Sequence, residues 1–565
     1  MTSNRRSHAP DALILVVLYT GACGGTTPTG TDGGDSPDMT TLPGAQCPRA
    51  GRPAPASGTC TVTAGGAGWL LTGNVLLPGM VLHGGQVAVD AQGTITCVDC
   101  DCTAAAAGAA QIDCPVGVIS PGLINTHDQI SYTQDSPAAD TGERYEQRND
   151  WRRGLRGHTA IVSKGGASTD QIRWGELRFV LGGATSTVGS GNAPGLLRNL
   201  DAATLEEGLG HAAVVFDTFP LGDVNGTQLA SGCQYAFKDT SASIASLKSF
   251  EPHIAEGIDA VAHNEFVCTS SGANGGQDLT QPQSAFIHSI GLGAADYSLM
   301  AREHVSVIWS PRSNLRLYGN TASVTVAARL GVRIALGTDW MPTGSMNLLR
   351  ELACADSLNT AYFDHAFTDE DLWKMVTLSA AQVTATDDAI GLLATGKIAD
   401  IAIFDGSKNT DYRAVIAAQP ADVILVMRAG KLLYGDASVV TALPGGAACE
   451  AQDVCGVAKS VCLKGDTGET FAALAKAAAS AYPLFFCGVP KNEPTCVPQR
   501  PMAVDGSTIY TGQSSATDGD GDGIADAMDD CPRVFNPIRP LDSGKQPDAD
   551  GDGVGDACDG DPLTK

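Results

Sequence analysis

One stretch constrains the fold more than any other, residues 121–129, which read PGLINTHDQ. An apolar run from Val116 to Ile124 leads into its polar end, which predicts a buried strand that stops in a short turn. Side chains two residues apart in a strand point to the same side, so we expect His127 and Gln129 to share one face. In a barrel of parallel strands, chemistry is carried by residues at such carboxyl ends.

The chain from Val116 to Ala394 alternates short apolar runs with longer helical stretches. This pattern of repeated β-α units predicts an α/β fold with a parallel sheet. After the first strand, the second, third, fifth, sixth, seventh and eighth are predicted within residues 182–190, 212–219, 249–257, 284–292, 305–319 and 332–340. The fourth is not defined by an apolar run; residues 231–238 are short and irregular there.

Polar side chains stand in or after these strands, where they could act together. His253 lies in the fifth, and Glu256 follows where that strand gives way to a loop. His288 stands alone in the apolar sixth, and Asp339 ends the eighth. Hydrolysis of a C–N bond at neutral pH needs a strong nucleophile, which a metal supplies by lowering the pKa of bound water toward ~7. Imidazoles and a carboxylate suit zinc or iron, and a separate carboxylic acid can protonate the substrate nitrogen.

The motif at residues 121–129 resembles the first-strand signature of the amidohydrolase superfamily, Pro-Gly-Leu-Ile-Asp-x-His-x-His, with Gln129 at the second histidine. His-x-x-Glu after the fifth strand and Pro-Arg-Ser-Asn at residues 311–314 resemble its deaminase and chlorohydrolase branch. The likeness covers about residues 66–440. It implies a (β/α)8 TIM barrel over residues 117–394 and a small β-sandwich built from both flanks of the barrel. Short β runs at residues 66–116 and 395–445 fit that sandwich.

The resemblance also implies one divalent transition metal, zinc or iron, and a small-molecule substrate. The implied metal ligands are His127, Gln129, His253 and Asp339. The implied catalytic residues are Glu256, which protonates a ring nitrogen, His288, which polarises substrate or water, and Asp339, which takes a proton from water. The expected reaction is hydrolysis of a non-peptide C–N bond, as in deamination of a nitrogen heterocycle. Hydrolysis of a linear or cyclic amide is the alternative.

Gln129 leaves a further alternative open. An amide oxygen is neutral and a weaker donor to zinc than imidazole, so metal affinity should fall. The site could work with a weaker or different metal, or the barrel could be an inactive binding module in a calcium-binding adhesion protein. The retention of the other five site residues favours a working enzyme.

Residues 1–23 have the layout of a signal peptide. Arg5 and Arg6 precede an apolar run, and Thr-Gly-Ala-Cys ends at Cys23 like a bacterial lipobox, which predicts lipidation of Cys23. This predicts a lipoprotein at the cell envelope or surface, held to the membrane by its lipid. An ordinary secretion signal, with Cys23 incidental, is the alternative. Residues 24–65, rich in Gly, Thr, Pro and Ser, predict a flexible linker.

Cysteines are numerous, with 17 in the chain. Without Cys23 an even number remains, which suits disulfides in an oxidising compartment. A cluster at positions 97, 100, 102 and 114 lacks two clean Cys-x-x-Cys pairs, so we expect disulfides there rather than a zinc knot. Residues 446–510 predict a cysteine-rich connector stapled by further disulfides.

The chain is acidic, with a formal net charge of −26, which argues against nucleic acid as a partner. Two near-repeats in residues 511–565, DGDGDGIADAMDDCP and DADGDGVGDACDGDP, space aspartates and glycines as calcium loops do. A disordered acidic tail would fit the charge but not this spacing. The repeats resemble thrombospondin type 3 repeats and predict a calcium-binding stalk, with a Cys531–Cys558 disulfide implied. The implied calcium ligands are Asp518, Asp520, Asp522, Asp526, Asp529, Asp548, Asp550, Asp552, Asp556 and Asp559.

Overall fold

The computed structural model describes residues 44–565. The predicted signal peptide, with Cys23, and the first part of the predicted linker lie outside the described residues. Within residues 44–565, every helix is too short or too polar to cross a membrane.

The first described segment forms six strands: β1 (Ala45–Gln46), β2 (Thr61–Thr63), β3 (Gly66–Leu77), β4 (Met80–Val89), β5 (Ile95–Asp99) and β6 (Ala109–Pro121). The composition predicts a flexible linker through residue 65, yet β1 pairs with β4 and β2 pairs with β6. Cys47 and Cys60 are bonded to Cys100 and Cys114. Residues 44–65 are therefore fixed to the sheet.

Eight short strands follow within the described part of the chain: β7 (Leu123–Asp128), β8 (Ala184–Gly189), β9 (Arg198–Asn199), β10 (Val215–Asp217), β11 (Phe250–Ile254), β12 (Ala285–His288), β13 (Ser306–Trp309) and β14 (Ile334–Leu336). They form two parallel sheets, β7-β8-β9 and β10-β11-β12-β13-β14. A parallel bridge between Asp128, the last residue of β7, and Asp339, three residues beyond β14, connects the two sheets. On the other side, the N–H of Val214 donates to the carbonyl of Leu200 at 2.8 Å.

The strands differ from the sequence prediction at two places. The apolar run from Val116 to Ile124, predicted as one strand, is divided between the end of β6 and the start of β7. The strand predicted as third, residues 212–219, contains β10, which is fourth along the chain. The third is β9, whose Arg198 is buried in an ion pair with Asp400 at 2.8 Å. A two-residue strand of Arg and Asn has no apolar run, so periodicity could not reveal it.

Fourteen α-helices lie within residues 44–565: α1 (Arg148–Arg153), α2 (Thr169–Val180), α3 (Ser241–Ile244), α4 (Ala260–Thr269), α5 (Ala294–Arg302), α6 (Pro311–Tyr318), α7 (Val324–Arg329), α8 (Leu348–Tyr362), α9 (Asp369–Lys374), α10 (Leu378–Val383), α11 (Asp411–Ile416), α12 (Ala437–Val440), α13 (Lys464–Thr467) and α14 (Phe471–Ala477). Local sequence sets their ends. Ser168 and Gln171 form a reciprocal capping box that starts α2. Pro311 begins α6, and Gly319, with φ 69°, ends it.

Five strands follow the parallel sheets: β15 (Ile401–Asp405), β16 (Val423–Arg428), β17 (Lys431–Asp436), β18 (Glu450–Val454) and β19 (Val457–Val461). Because β15 pairs antiparallel with β6, both flanks of the chain join in one eleven-stranded sheet. Apolar side chains from both flanks, such as Leu71 and Leu425, share a core. The two halves of the sandwich that the resemblance implies are thus joined by hydrogen bonds into one continuous sheet. Strands β18 and β19 extend this sheet into the predicted connector.

Eight disulfides pair sixteen cysteines of the described residues: Cys47–Cys100, Cys60–Cys114, Cys97–Cys102, Cys233–Cys268, Cys354–Cys496, Cys449–Cys462, Cys455–Cys487 and Cys531–Cys558. The cluster near residue 100 thus forms disulfides, as its spacing predicts. The connector is tied to α8 through Cys354 and Cys496.

The acidic repeats lie against the parallel sheets and their helices. Phe535 packs on Tyr362 and Tyr510, with ring centroids 5.7 and 5.1 Å apart. The guanidinium of Arg539, buried in the same contact, donates to the carbonyls of Ile290 and Leu292. The sequence predicts a stalk, but these buried side chains hold the repeats on the domain.

Candidate metal and catalytic site

Three histidines from separate strands meet at the carboxyl ends of the parallel sheets. His127 lies near the end of β7, His253 lies in β11 and His288 ends β12. One ring nitrogen from each lies within 4.8 Å of the others, and all three side chains are fully buried. The sequence predicts the convergence of the first two as ligands and of His288 as a catalytic neighbour.

The free nitrogens of this cluster have the character of metal ligands. Nδ1 of His253 lies 3.2 Å from the carbonyl of Asp217 and donates to it, which leaves the lone pair of Nε2 free. Nε2 of His253 and Nδ1 of His127 have no hydrogen-bond partner among the described residues. Buried polar atoms are seldom left unpaired, so a cation fits this donor set.

Asp339 lies beside the histidines, with Oδ1 3.3 Å from Nε2 of His127. The hydroxyl of Ser313 donates to Oδ2 at 2.6 Å, and the N–H of Trp340 donates to Oδ1 at 2.8 Å. Burial raises the pKa of Asp339, but the contact with His127 and the bond from Ser313 outweigh it and hold the pKa below its ordinary value. The carboxylate is therefore ionised at neutral pH.

Glu256 lies on the other side of His288, with Oε2 3.7 Å from Nε2 of that ring. The hydroxyl of Tyr318 donates to Oε1 at 2.8 Å. Burial raises the pKa of Glu256 to about 8, so this carboxyl is mostly protonated at neutral pH. Burial also lowers the pKa of His288 to about 3, which leaves its imidazole neutral.

Gln129 lies one residue beyond the end of β7, at the start of a 3₁₀ turn. It is partly exposed, whereas the histidines are buried. It lines a small cavity with Asp128, Arg178 and Asp339. Because the strand ends at Asp128, the two-residue alternation does not set the direction of the Gln129 side chain.

Asp128, which is buried beside the site, was not among the residues predicted from the sequence. The hydroxyl of Thr338 lies 3.3 Å from its Oδ2, and burial raises the pKa of Asp128 to about 8. The signal was a carboxyl directly after His127 in the motif at residues 121–129. Lys238, the lysine nearest the unclear fourth strand, pairs with Asp217 at 2.5 Å, and its side chain is largely exposed.

The backbone is unusual at three places around the cluster. Ala255, His288 and Asp339 have φ of 54°, 72° and 55°, a left-handed conformation that non-glycine residues rarely adopt. Such residues concentrate at functional sites, where surrounding packing holds them. His288 ends β12, Ala255 directly follows β11, and Asp339 lies three residues beyond β14.

The acidic repeats form two further oxygen clusters. Carboxylate oxygens of Asp518, Asp520 and Asp522 lie within 4.8 Å of one another, as do those of Asp548, Asp550 and Asp552. Within the described chain, Oδ2 of Asp520, Asp522 and Asp550 has no hydrogen-bond partner, which fits a cation with hard oxygen ligands. The other predicted ligands turn at least one oxygen to backbone N–H groups, namely Asp526 to Gly519, Asp529 to Cys531, Asp556 to Ala549 and Asp559 to Asp561.

Comparison with known families agrees with both parts of the chain. Residues 239–433 match the Amidohydrolase family, and residues 516–539 and 547–562 match the Thrombospondin type 3 repeat. The chain carries an amidohydrolase domain and thrombospondin type 3 repeats. The resemblance of both segments is thereby confirmed.

Curated relatives of the amidohydrolase segment are deaminases. The 5-methylthioadenosine/S-adenosylhomocysteine deaminase of Thermoanaerobacter pseudethanolicus is 29% identical over 164 residues, which cover 27% of this chain and 38% of the relative. The 5'-deoxyadenosine deaminase of Methanothermobacter thermautotrophicus is 28% identical over 165 residues, with the same two shares of 27% and 38%. The chain thus spans well under half the length of these relatives.

Solved structures similar to the chain include an adenosine deaminase from Xanthomonas campestris with bound zinc. It has 19% identity and a TM-score of 0.45, and the match covers 69% of this chain and 93% of that one. Atrazine chlorohydrolase from Arthrobacter aurescens, complexed with zinc, has 17% identity and a TM-score of 0.47, with coverage of 65% and 95%.

Proposed function

We propose that the chain is a metal-dependent hydrolase, an aminohydrolase that removes an amino group from a nitrogen heterocycle. The observation that carries the proposal is the convergence of His127 and His253, with unpartnered buried nitrogens, beside the carboxylate of Asp339. Two imidazoles and a carboxylate suit zinc or iron and leave room for water and substrate. Gln129, which lines a cavity with Asp339, is the proposed weaker fourth ligand.

The proton transfers would fall to the chain's own side chains. When bound, a divalent metal lowers the pKa of water toward ~7 and so supplies hydroxide at neutral pH. Asp339 is ionised, and its carboxylate can accept the proton of the water. Glu256 is protonated and can deliver its proton to a ring nitrogen. The neutral His288 can donate a hydrogen bond to substrate or water beside Glu256.

We also propose that β7 to β14 close into one (β/α)8 barrel. Support comes from the parallel pairing within both sheets and from the bridge between Asp128 and Asp339. The bond from Val214 to Leu200 supports closure on the opposite side. In a closed barrel, His127, His253, His288 and Asp339 belong to the same rim, at which such folds carry their chemistry.

The names of the relatives narrow the proposed substrate. The relatives are named for 5-methylthioadenosine, S-adenosylhomocysteine and 5'-deoxyadenosine, which are adenosine derivatives altered at the 5′ carbon. The 6-amino group of adenine is attached to a ring carbon next to a ring nitrogen, which Glu256 could protonate. Such adenosines are therefore the first substrates to test.

Export of the chain through residues 1–23, with lipid attached at Cys23, is part of the same proposal. Eight disulfides among the remaining sixteen cysteines support an oxidising compartment. Labelled fatty acid should enter the wild-type chain but not Cys23→Ser in cells. Equal labelling of both would refute the lipid anchor.

A screen for released ammonia tests the activity. The purified chain is incubated with 5′-modified adenosines and with linear and cyclic amides, and ammonia and new carboxylate are both measured. We expect ammonia from an adenosine, abolished in Glu256→Gln and retained in Glu303→Gln, whose carboxylate is exposed. Cleavage of an amide ring without ammonia would favour the alternative hydrolase. A folded chain that takes up no transition metal would favour the inactive adhesion protein.

A further inference from the structure

The first calcium loop, residues 518–523, packs directly on residues 509–512, which precede it in the chain. The N–H of Gly512 lies 3.2 Å from the carbonyl of Gly521. At Gly523 a Cβ atom would lie 2.1 Å from the carbonyl oxygen of Ile509, so only glycine permits the contact. The loop that carries Asp520 and Asp522 is therefore packed backbone against backbone on residues 509–512.

That segment holds Arg500 in turn. Arg500 and Tyr510 exchange two backbone hydrogen bonds, of 2.9 and 3.1 Å. Arg500 is only 3% exposed, and its guanidinium reaches into the domain. It donates to the carbonyls of Tyr145 and Tyr318 at 2.9 and 2.8 Å and pairs with Glu146 at 2.5 Å.

Tyr318 connects this anchor to the site. Its carbonyl is bound by Arg500, while its hydroxyl donates to Oε1 of Glu256 and accepts from the indole N–H of Trp151, both at 2.8 Å. The side chain is fully buried, so neither contact is shared with solvent. Both ends of Tyr318 are fixed, and one of them faces the proposed proton donor.

We propose that Tyr318 is a positioning residue for Glu256, and that calcium in the first repeat keeps Arg500, and through it Tyr318, in place. The carboxylates of Asp518, Asp520 and Asp522 lie within 4.8 Å of one another, where one calcium ion can join them. Without that ion the loop loses its cross-links and loosens from residues 509–512. Arg500 then loses its backbone partner Tyr510. The repeats thereby help to hold the residues that surround the site. The role of Tyr318 rests on the proposed function of Glu256.

Hydrogen exchange on the full chain tests the calcium link without any need for activity. We compare wild type with a first-loop double variant, Asp520→Asn with Asp522→Asn, and a matched second-loop variant, Asp550→Asn with Asp552→Asn, all with calcium. Only the first-loop variant should lose protection at residues 499–512 and 311–320. Transition-metal content is measured in the same samples, because loss of that metal would loosen the site for another reason. Equal protection in all three proteins, at equal metal content, would overturn the link.

Tyr318→Phe tests the positioning role, since it keeps the ring and removes only the hydroxyl. We expect kcat to fall roughly tenfold, as for loss of one hydrogen bond to the reacting carboxyl, while KM changes less than about twofold. Calcium affinity, measured by titration calorimetry, should stay at the wild-type value. An unchanged kcat in an active enzyme would overturn the positioning role. If wild type deaminates nothing, the proposed function fails, whereas the exchange experiment still decides the calcium link.

Discussion

Nδ2 of Asn314 lies 3.0 Å from Nδ1 of His288, and this contact fixes which ring nitrogen carries the proton. The indole N–H of Trp309 can only donate, and it donates to the hydroxyl of Thr321 at 2.7 Å. That hydroxyl therefore donates to Oδ1 of Asn314, at 3.2 Å, which turns Nδ2 toward His288. Nδ1 of His288 accepts, so Nε2 bears the proton and faces Glu256. A protonated nitrogen cannot bind a metal, which makes His288 a hydrogen-bond donor rather than a ligand.

Asn314→Asp should reverse the tautomer of His288. A carboxylate accepts a hydrogen bond from Nδ1, so the proton moves to Nδ1 and Nε2 is left without one. We expect kcat to fall about a hundredfold, which is the smallest loss typical when a positioned acid or base is removed. The metal content should be unchanged. Nitrogen NMR of labelled histidine would show the tautomer directly. Protonation at Nδ1 in the wild-type chain would contradict the assignment.

Gln129→His should raise affinity for zinc, because imidazole is a better donor than an amide oxygen. Competition with a chromogenic chelator measures the change, and we expect at least a tenfold gain, about the effect of one good ligand contact. Gln129→Ala is the matched control and should lower affinity only slightly. If histidine at this position leaves the affinity unchanged, the side chain after β7 does not reach the metal.

His253→Ala should remove most of the bound transition metal. The lone pair of Nε2 is free of other partners in the described chain, so its loss leaves only His127, Asp339 and the weakly donating Gln129 to hold the ion. Elemental analysis should find about one equivalent in wild type and little in the variant. His211→Ala is the control, because His211 pairs with the exposed Asp388 and should leave the metal content unchanged. Equal content in all three proteins would rule out this site.

The rate should fall as pH rises through about 8. Burial raises the pKa of Glu256 to about 8, so the carboxyl that donates the proton is present below that pH and lost above it. On the alkaline side, kcat/KM should drop about tenfold per pH unit. Glu256→Gln cannot donate and should be nearly inactive throughout. A rate that keeps rising to about pH 10 would exclude Glu256 as the donor.

Local patterns predicted the parts of the site that depend on one strand each. His127 and His253 lie near the ends of short buried strands and Asp339 just beyond one, and parallel strands bring such ends to one rim. The calcium loops were visible for a similar reason, because Asp518, Asp520 and Asp522 lie within five residues of chain.

Contacts between distant segments could not be predicted in this way. Tyr318 meets Glu256 across 62 residues, and Arg500 reaches Tyr318 across 182, with no repeating pattern to mark either contact. The docking of the repeats was hidden because Phe535 and Arg539 are single residues in an acidic, turn-rich segment. Strand β9 was missed because a buried ion pair, and not an apolar run, holds it in place.

Arg148→Met tests a buried charge beneath the site. Arg148 is about 1% exposed and pairs with Asp223 at 2.8 Å and with Glu265 at 3.6 Å. The variant keeps much of the volume but leaves two buried carboxylates without their cation, which should lower the free energy of unfolding by about 3–5 kcal/mol. Denaturant unfolding followed by tryptophan fluorescence measures the change. Arg302→Met removes an exposed pair with Glu303 and should cost at most about 1 kcal/mol. If both variants unfold alike, the buried network contributes no more than a surface contact.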